Sequence, residues 1–124
     1  MAKICSDRFL DGALNIIKNN DTRMTACSAQ PTTYVEGNAT FALADVTMAG
    51  ADFTIANGDT SGRKVTVAAK TAVPVDVTGT VNHVALLDVT GTILDYVTTT
   101  TAQAVGAGGT VDIGSWKVEI ADPA

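Results

Sequence analysis

The chain has 124 residues and a net charge of −5, with 46% apolar and 17% charged side chains. That length sets the expectation of one domain. The acidic balance, with Arg63-Lys64 as the one adjacent basic pair, excludes the cation clusters that displace counterions from phosphates, so no direct nucleic-acid contact is expected.

No apolar run reaches the length of a membrane span, so no membrane partner is expected. Met1 to Asp7 lacks the apolar stretch of a secretory signal, so the chain is expected to be made in a cytoplasm and to stay soluble. Aromatic residues are only 5% of the chain, and the apolar share comes mostly from valine and alanine. The core is therefore thin, and stability is expected to gain from burying a face against a partner.

Phe9, Leu10, Ala13, Leu14, Ile16 and Ile17 recur at helical spacing and predict an amphipathic helix over 6–19. Ser6 is a suitable N-cap, Asp7 and Asp11 sit toward the positive end of the dipole, and Lys18 sits toward the negative end. Asn19-Asn20 offers a residue that tolerates the left-handed conformation of a helix stop. Gly12 costs about 1 kcal/mol against alanine in mid-helix, which suggests close packing over it.

Residues 22–121 are expected to be β-rich. Thr22–Ser28 alternates as a strand, and Gln30 to Thr33 ends it, with a helical turn expected around Tyr34-Val35-Glu36. Leu43–Ala49 and Phe53–Ile55 are short strand candidates, followed by turn chemistry at Asn57-Gly58-Asp59. Val65, Val67 and Ala69 share one face, as do Val73, Val75 and Val77, where Pro74 suggests an edge strand. Val81–Asp88 is apolar on both faces toward its end, which suits a central strand. Thr90-Gly91 turns the chain into Thr92–Thr99. Thr98–Thr101 and the glycine-rich stretch after it read as a strand end and a mobile loop. Val111 and Ile113 stand on one phase and Trp116, Val118 and Ile120 on the other, so a β-bulge is expected at Gly114-Ser115. The pattern predicts an α+β, mostly β fold: a small antiparallel β-sandwich or barrel with one N-terminal helix.

Candidate chemistry is sparse. Gly58 to Lys64 imitates a phosphate loop, but three residues separate its glycines instead of four and no Lys-Ser/Thr pair follows; a hairpin loop is the better reading. Asp52, Asn57 and Asp59 lack the order of a calcium loop and read as turn residues. His83 has no second histidine for a zinc site and no Gly-x-Ser-x-Gly elbow, so it reads as a packed histidine. No catalytic residue, metal ligand or cofactor is assigned, and an enzyme is not expected.

Cys5 and Cys27 flank the helix. A helix of about 13 residues and a strand of a few residues cover similar distances, so an antiparallel return brings Cys27 back near Cys5. Three states stay open for this pair: free thiols, an internal disulfide, or cross-links to neighbouring chains.

Several segments together carry a resemblance: Leu10 to Asn15 in the helix, Cys27 to Gly37, Ser61 to Ala69, Asn82 to Asp88, and Ser115 to Pro123. In this order they resemble a group of small virion-associated structural proteins of tailed bacteriophages and prophages. The resemblance implies a structural role in the virion and brings no assigned site residue with it. The expected function is a capsid decoration or linking protein that cements the shell of major capsid protein. A neck, collar or tail-fibre adaptor is the nearest alternative. A receptor- or glycan-binding module using Tyr34, Tyr96 or Trp116 is the alternative of a different class. The expected partners are the major capsid protein or other virion proteins, together with further copies of the chain. A trimer is suggested by analogy with decoration proteins at threefold positions.

Overall fold

Helix α1 spans Asp7–Asn20 in a computed structural model that describes residues 4–123. Ser6 caps it as expected, its hydroxyl accepting from Phe9 N at 3.3 Å. The helix stops without a left-handed residue: Asp21 turns to extended backbone while its N–H still donates to Ile17 O. Leu10, Leu14 and Ile17 are buried. Nothing packs over Gly12, where an added Cβ would meet no atom within 4 Å. The expected close packing there is corrected, and this glycine is simply a weak point in the helix.

Among the described residues, nine strands follow. They are β1 (Arg23–Cys27), β2 (Ala42–Thr47), β3 (Phe53–Asn57), β4 (Arg63–Val67), β5 (Lys70–Pro74), β6 (Gly79–Asp88), β7 (Ile93–Val105), β8 (Thr110–Ile113) and β9 (Trp116–Ile120). They form antiparallel sheets in the orders β2-β1-β6-β7, β3-β4-β9 and β5-β8. One bridge, Ala44 to Val75, ties β5 to β2. The fold is thus a small α+β, mostly β structure with sandwich-like sheets that do not close into a barrel.

Strand alternation explains where the core sits. Met24 and Ala26 of β1 and Val84 and Leu86 of β6 point to one side. There they meet Phe53, Val65, Val67 and Val118 of the second sheet and Leu14 and Ile17 of α1. Thr25 and Cys27 of β1 and Ala85 and Leu87 of β6 point to the other side. That side is covered by the chain from Pro31 to Phe41, which includes a π-helical stretch at Glu36–Thr40 where the helical turn was expected. The Thr25 hydroxyl donates to Gly37 O at 2.7 Å and pins this cover to the sheet. Being covered on both faces, β1 and β6 are buried at consecutive positions, as a central strand requires.

Two expectations from the C-terminal half are corrected. The strand does not end in the threonine run, because β7 continues to Val105 and pairs Gln103, Ala104 and Val105 with Val81, Thr80 and Gly79, which leaves only residues 106–109 as the turn before β8. Gly114-Ser115 is not a bulge: the chain leaves β8, which pairs with β5, and enters β9, which pairs with β4. That switch of sheet explains the change of phase. A bulge does lie in β7, where Asp95 is an extra residue between Leu94 (opposite Leu87) and Tyr96 (opposite Leu86). A second irregularity sets Thr100 to Ala102 against the short step from Val81 to His83.

Candidate interaction surface

Arg63 and Lys64 open β4 and are held inside the molecule, not free on a loop. Arg63 Nε donates to Asp11 Oδ1 at 2.8 Å and Arg63 Nη1 to Asn57 Oδ1 at 2.8 Å. These bonds fasten α1 to β4 and keep the guanidinium protonated beyond its ordinary range, Asp11 being the main cause. Lys64 and Lys117 both reach Asp59, whose carboxyl is held down at about 2, Lys117 first and Lys64 second. Glu119 accepts from the Asp59 and Thr60 N–H groups. The segment that imitates a phosphate loop is therefore a hairpin loop tied down by β9. Asp52 is likewise occupied, by Ala49 N at 2.8 Å and Lys70 Nζ at 2.9 Å.

His83 is half-buried on β6, its Nδ1 2.7 Å from Asn82 Oδ1. The register sets it opposite Cys27. The thiol turns elsewhere, with Thr25 Oγ1 at 3.4 Å and Gly37 O at 3.7 Å. Burial pushes the Cys27 thiol up, against a smaller opposing effect of the Thr25 hydroxyl, so it is no activated nucleophile. Cys5 and Cys27 are both free thiols. Cys27 lies on the sheet face opposite α1, in the cluster with Ala85 and Leu87, whereas Cys5 is partly exposed ahead of the helix. Among the described residues no group of three His, Cys, Asp or Glu is arranged to hold a metal. No described helix is long and apolar enough to cross a membrane.

The apolar residues of α1 do more than fill the core. Phe9 and Ile16 stand seven residues apart on one flank, beside the buried Leu10–Leu14–Ile17 stripe. They are 75% and 52% exposed. That flank borders a groove of about 400 Å3 between α1, β7 and β9, walled by Ala13, Ile16, Ile17, Tyr96, Val118 and Ile120. Tyr96 stacks on Trp116 with ring centroids 5.8 Å apart, so one aromatic face is already used within the protein. Tyr34 packs against the smaller cluster on the opposite sheet face.

Asp95 and Glu119 add acid to this apolar groove. The bulge in β7 lets Asp95 and its neighbour Tyr96 both line the groove, although successive residues of a regular strand point to opposite faces. Against Asp95 lies Asp21, 2% exposed at the end of α1. No donor reaches either carboxyl oxygen of Asp21 or Oδ2 of Asp95. Burial, then a hydrogen bond to the Asp95 carboxyl, then the charges of Asp95 and Asp88 push the Asp21 carboxyl up to about 9. A proton on Asp21 supplies the donor that two carboxylates would lack.

The sequence pattern left this pair unseen. Asp21 follows two asparagines and reads as a solvated helix end, and nothing local marks Asp95 as an inserted residue. Phe9 and Ile16 carried a signal, since a six-residue apolar face is wider than one sheet contact can bury.

No protein-family model, no curated protein and no solved structure matches this chain.

Proposed function

We propose that this chain is a structural protein of a tailed-bacteriophage virion, docked on the major capsid shell as a decoration or linking protein. The observation that carries the reading is the exposed apolar flank of α1. Phe9 and Ile16 stand out of a surface whose groove continues to Tyr96 and Ile120. A contiguous apolar surface with an acidic rim suits a protein partner. The many short strands and the resemblance described above fit a chain whose work is to be a surface. Each copy would bury this face across neighbouring capsid subunits, so that expansion of the shell has to break those contacts as well. Occupying the site would also stabilise the thin-cored domain by linkage. Further copies of the chain on adjacent sites would make it a homo-oligomer in place, and Cys5 is the thiol placed to cross-link to a neighbour.

The test is the copy number of the chain relative to the major capsid protein, by quantitative mass spectrometry of purified virions. Hundreds of copies support a shell position. A handful moves the chain to a neck, collar or tail-fibre adaptor, and none overturns the structural reading. The glycan-binding alternative rests on Tyr96 and Trp116, whose mutual stacking leaves a smaller platform for a sugar ring.

A further inference from the structure

We propose that β7 is an assembly edge, pairing antiparallel with β7 of a second copy of this chain about a two-fold axis at Thr99. Two four-stranded sheets thereby become one continuous sheet. The contact uses a strand edge, not the α1 flank, and does not rest on the capsid reading.

Three observations point to that partner. The first is an unpaired edge. β7 ends the order β2-β1-β6-β7 and, at Ile93–Val105, is the longest strand among the described residues. β6 takes one side of its backbone. On the other side no described main-chain group bonds to it; only the Thr98 hydroxyl donates to Thr99 O, at 3.4 Å. Thr99 to Ala104 are exposed at consecutive positions, so neither face of this half is covered. Such an edge is a template for another extended strand.

The second is that the usual blocks to edge pairing stand elsewhere and not here. Sheet edges are blunted by charge, by proline or by a covering contact. β2 is bridged to Val75, Lys18 Nζ reaches Phe53 O of β3, Pro74 ends β5, and Lys117 and Glu119 stand on β9. From Tyr96 to Val105, β7 has no charged residue and no proline.

The third is self-complementarity, which selects a second copy over a foreign strand. A two-fold axis perpendicular to an antiparallel sheet sets one residue opposite itself and its neighbours opposite one another in reverse order. Val97 to Thr101 are consecutive β-branched residues with Thr99 at their centre. An axis there sets Thr99 against Thr99, Thr98 against Thr100 and Val97 against Thr101. Each is a pair of β-branched side chains, which suit a pleated surface. Asp95, the nearest charge, falls opposite Gln103, so two chains of net charge −5 meet without like charges face to face.

The contact is a small one. The irregularities at Asp95 and at Thr100 to Ala102 keep the ladder short. A single strand pair falls below the roughly 1,200–2,000 Å² of stable complexes. The dimer is therefore weak and concentration-dependent in solution, and it strengthens wherever a surface holds two copies side by side.

The experiment is sedimentation velocity of the full chain from micromolar to millimolar concentration, with amide exchange followed by NMR at both ends of that range. The expected result is a monomer giving way to a dimer, with new protection of the β7 amides that do not face β6. Thr99→Lys and Thr99→Glu should each weaken the dimer roughly tenfold, with both variants folded by their amide spectra. Mixing the two should restore it, since the axis brings these side chains together. Ile16→Lys should leave the dimer unchanged. A monomer at every concentration, a dimer that Thr99→Lys leaves intact, or a mixture that restores nothing overturns the proposal. So does loss of the dimer in Ile16→Lys, which would assign the contact to the α1 flank. Growth past the dimer into fibres, or protection of β7 only when capsid shells are added, overturns it as well.

Discussion

Asp21, at the end of α1, faces Asp95, the inserted residue of β7, and the two carboxyls have only each other as hydrogen-bonding partners for their buried oxygens. Because the folded chain holds the Asp21 proton up to about 9, against 3.8 for the ordinary carboxyl, the sign of its pH dependence is fixed. Below the ordinary value both folded and unfolded chains are protonated and the pair costs nothing. Between the two values the unfolded chain gives up the proton and the folded chain keeps it, so stability falls as pH rises. The slope is about 1.4 kcal/mol per pH unit from this group alone. Asp21→Asn is expected to stabilise the fold at pH 7 by about 1–3 kcal/mol, to change little at pH 4, and to flatten the pH profile. Urea unfolding at a series of pH values checks it; an unchanged slope sinks the assignment.

Two glycines should respond in opposite directions. Gly12 sits in mid-helix with open space where its Cβ would be. Gly12→Ala is expected to stabilise by about 1 kcal/mol through helix propensity alone. Gly62 has φ +68°, and a Cβ there would run into the Ile120 carbonyl. Gly62→Ala is expected to cost about 2 kcal/mol or more by opening the contact between the β3–β4 loop and the end of β9. Thermal unfolding of both variants separates the cases, and equal melting temperatures would contradict the packing described.

Leu14 and Ile16 are two residues apart and have opposite roles. Leu14→Ala empties a site that is 1% exposed and should cost about 2–5 kcal/mol. Ile16→Ala trims a half-exposed side chain and should stay within about 0.5 kcal/mol of the parent. If the proposed docking holds, it should nonetheless weaken capsid binding, measured by occupancy on purified shells. A large loss of stability on trimming Ile16 would mean that the flank belongs to the core and not to an interface.

The two thiols should separate cleanly by reactivity. Cys5 is partly exposed, whereas Cys27 is fully buried with its thiol raised by burial. Iodoacetamide at pH 8, read by mass spectrometry, should label Cys5 in the native protein and reach Cys27 only on unfolding, at least a hundredfold more slowly. Comparable rates would show that the cover over β1 opens readily.

Local pattern determined much of this protein. The period of Leu10, Leu14 and Ile17 placed the helix, Ser6 placed its start, and alternation with turn residues placed most strands, because these signals act within a few residues. The run Val84 to Leu87 marked a central strand, since only burial on both faces tolerates it. Tertiary structure decided the rest. Whether a change of phase is a bulge or a change of sheet depends on which strand lies alongside, so Ser115 could not be read until β9 was seen against β4 and β8 against β5. Asp95 became an inserted residue only through its register with β6. Phe9 and Leu10 are equivalent in hydropathy, and the width of the surface they meet alone determines which one is buried. The carboxyl pair needs the end of a helix and a bulge more than seventy residues later to coincide. That coincidence is a property of packing, and no window of sequence contains it.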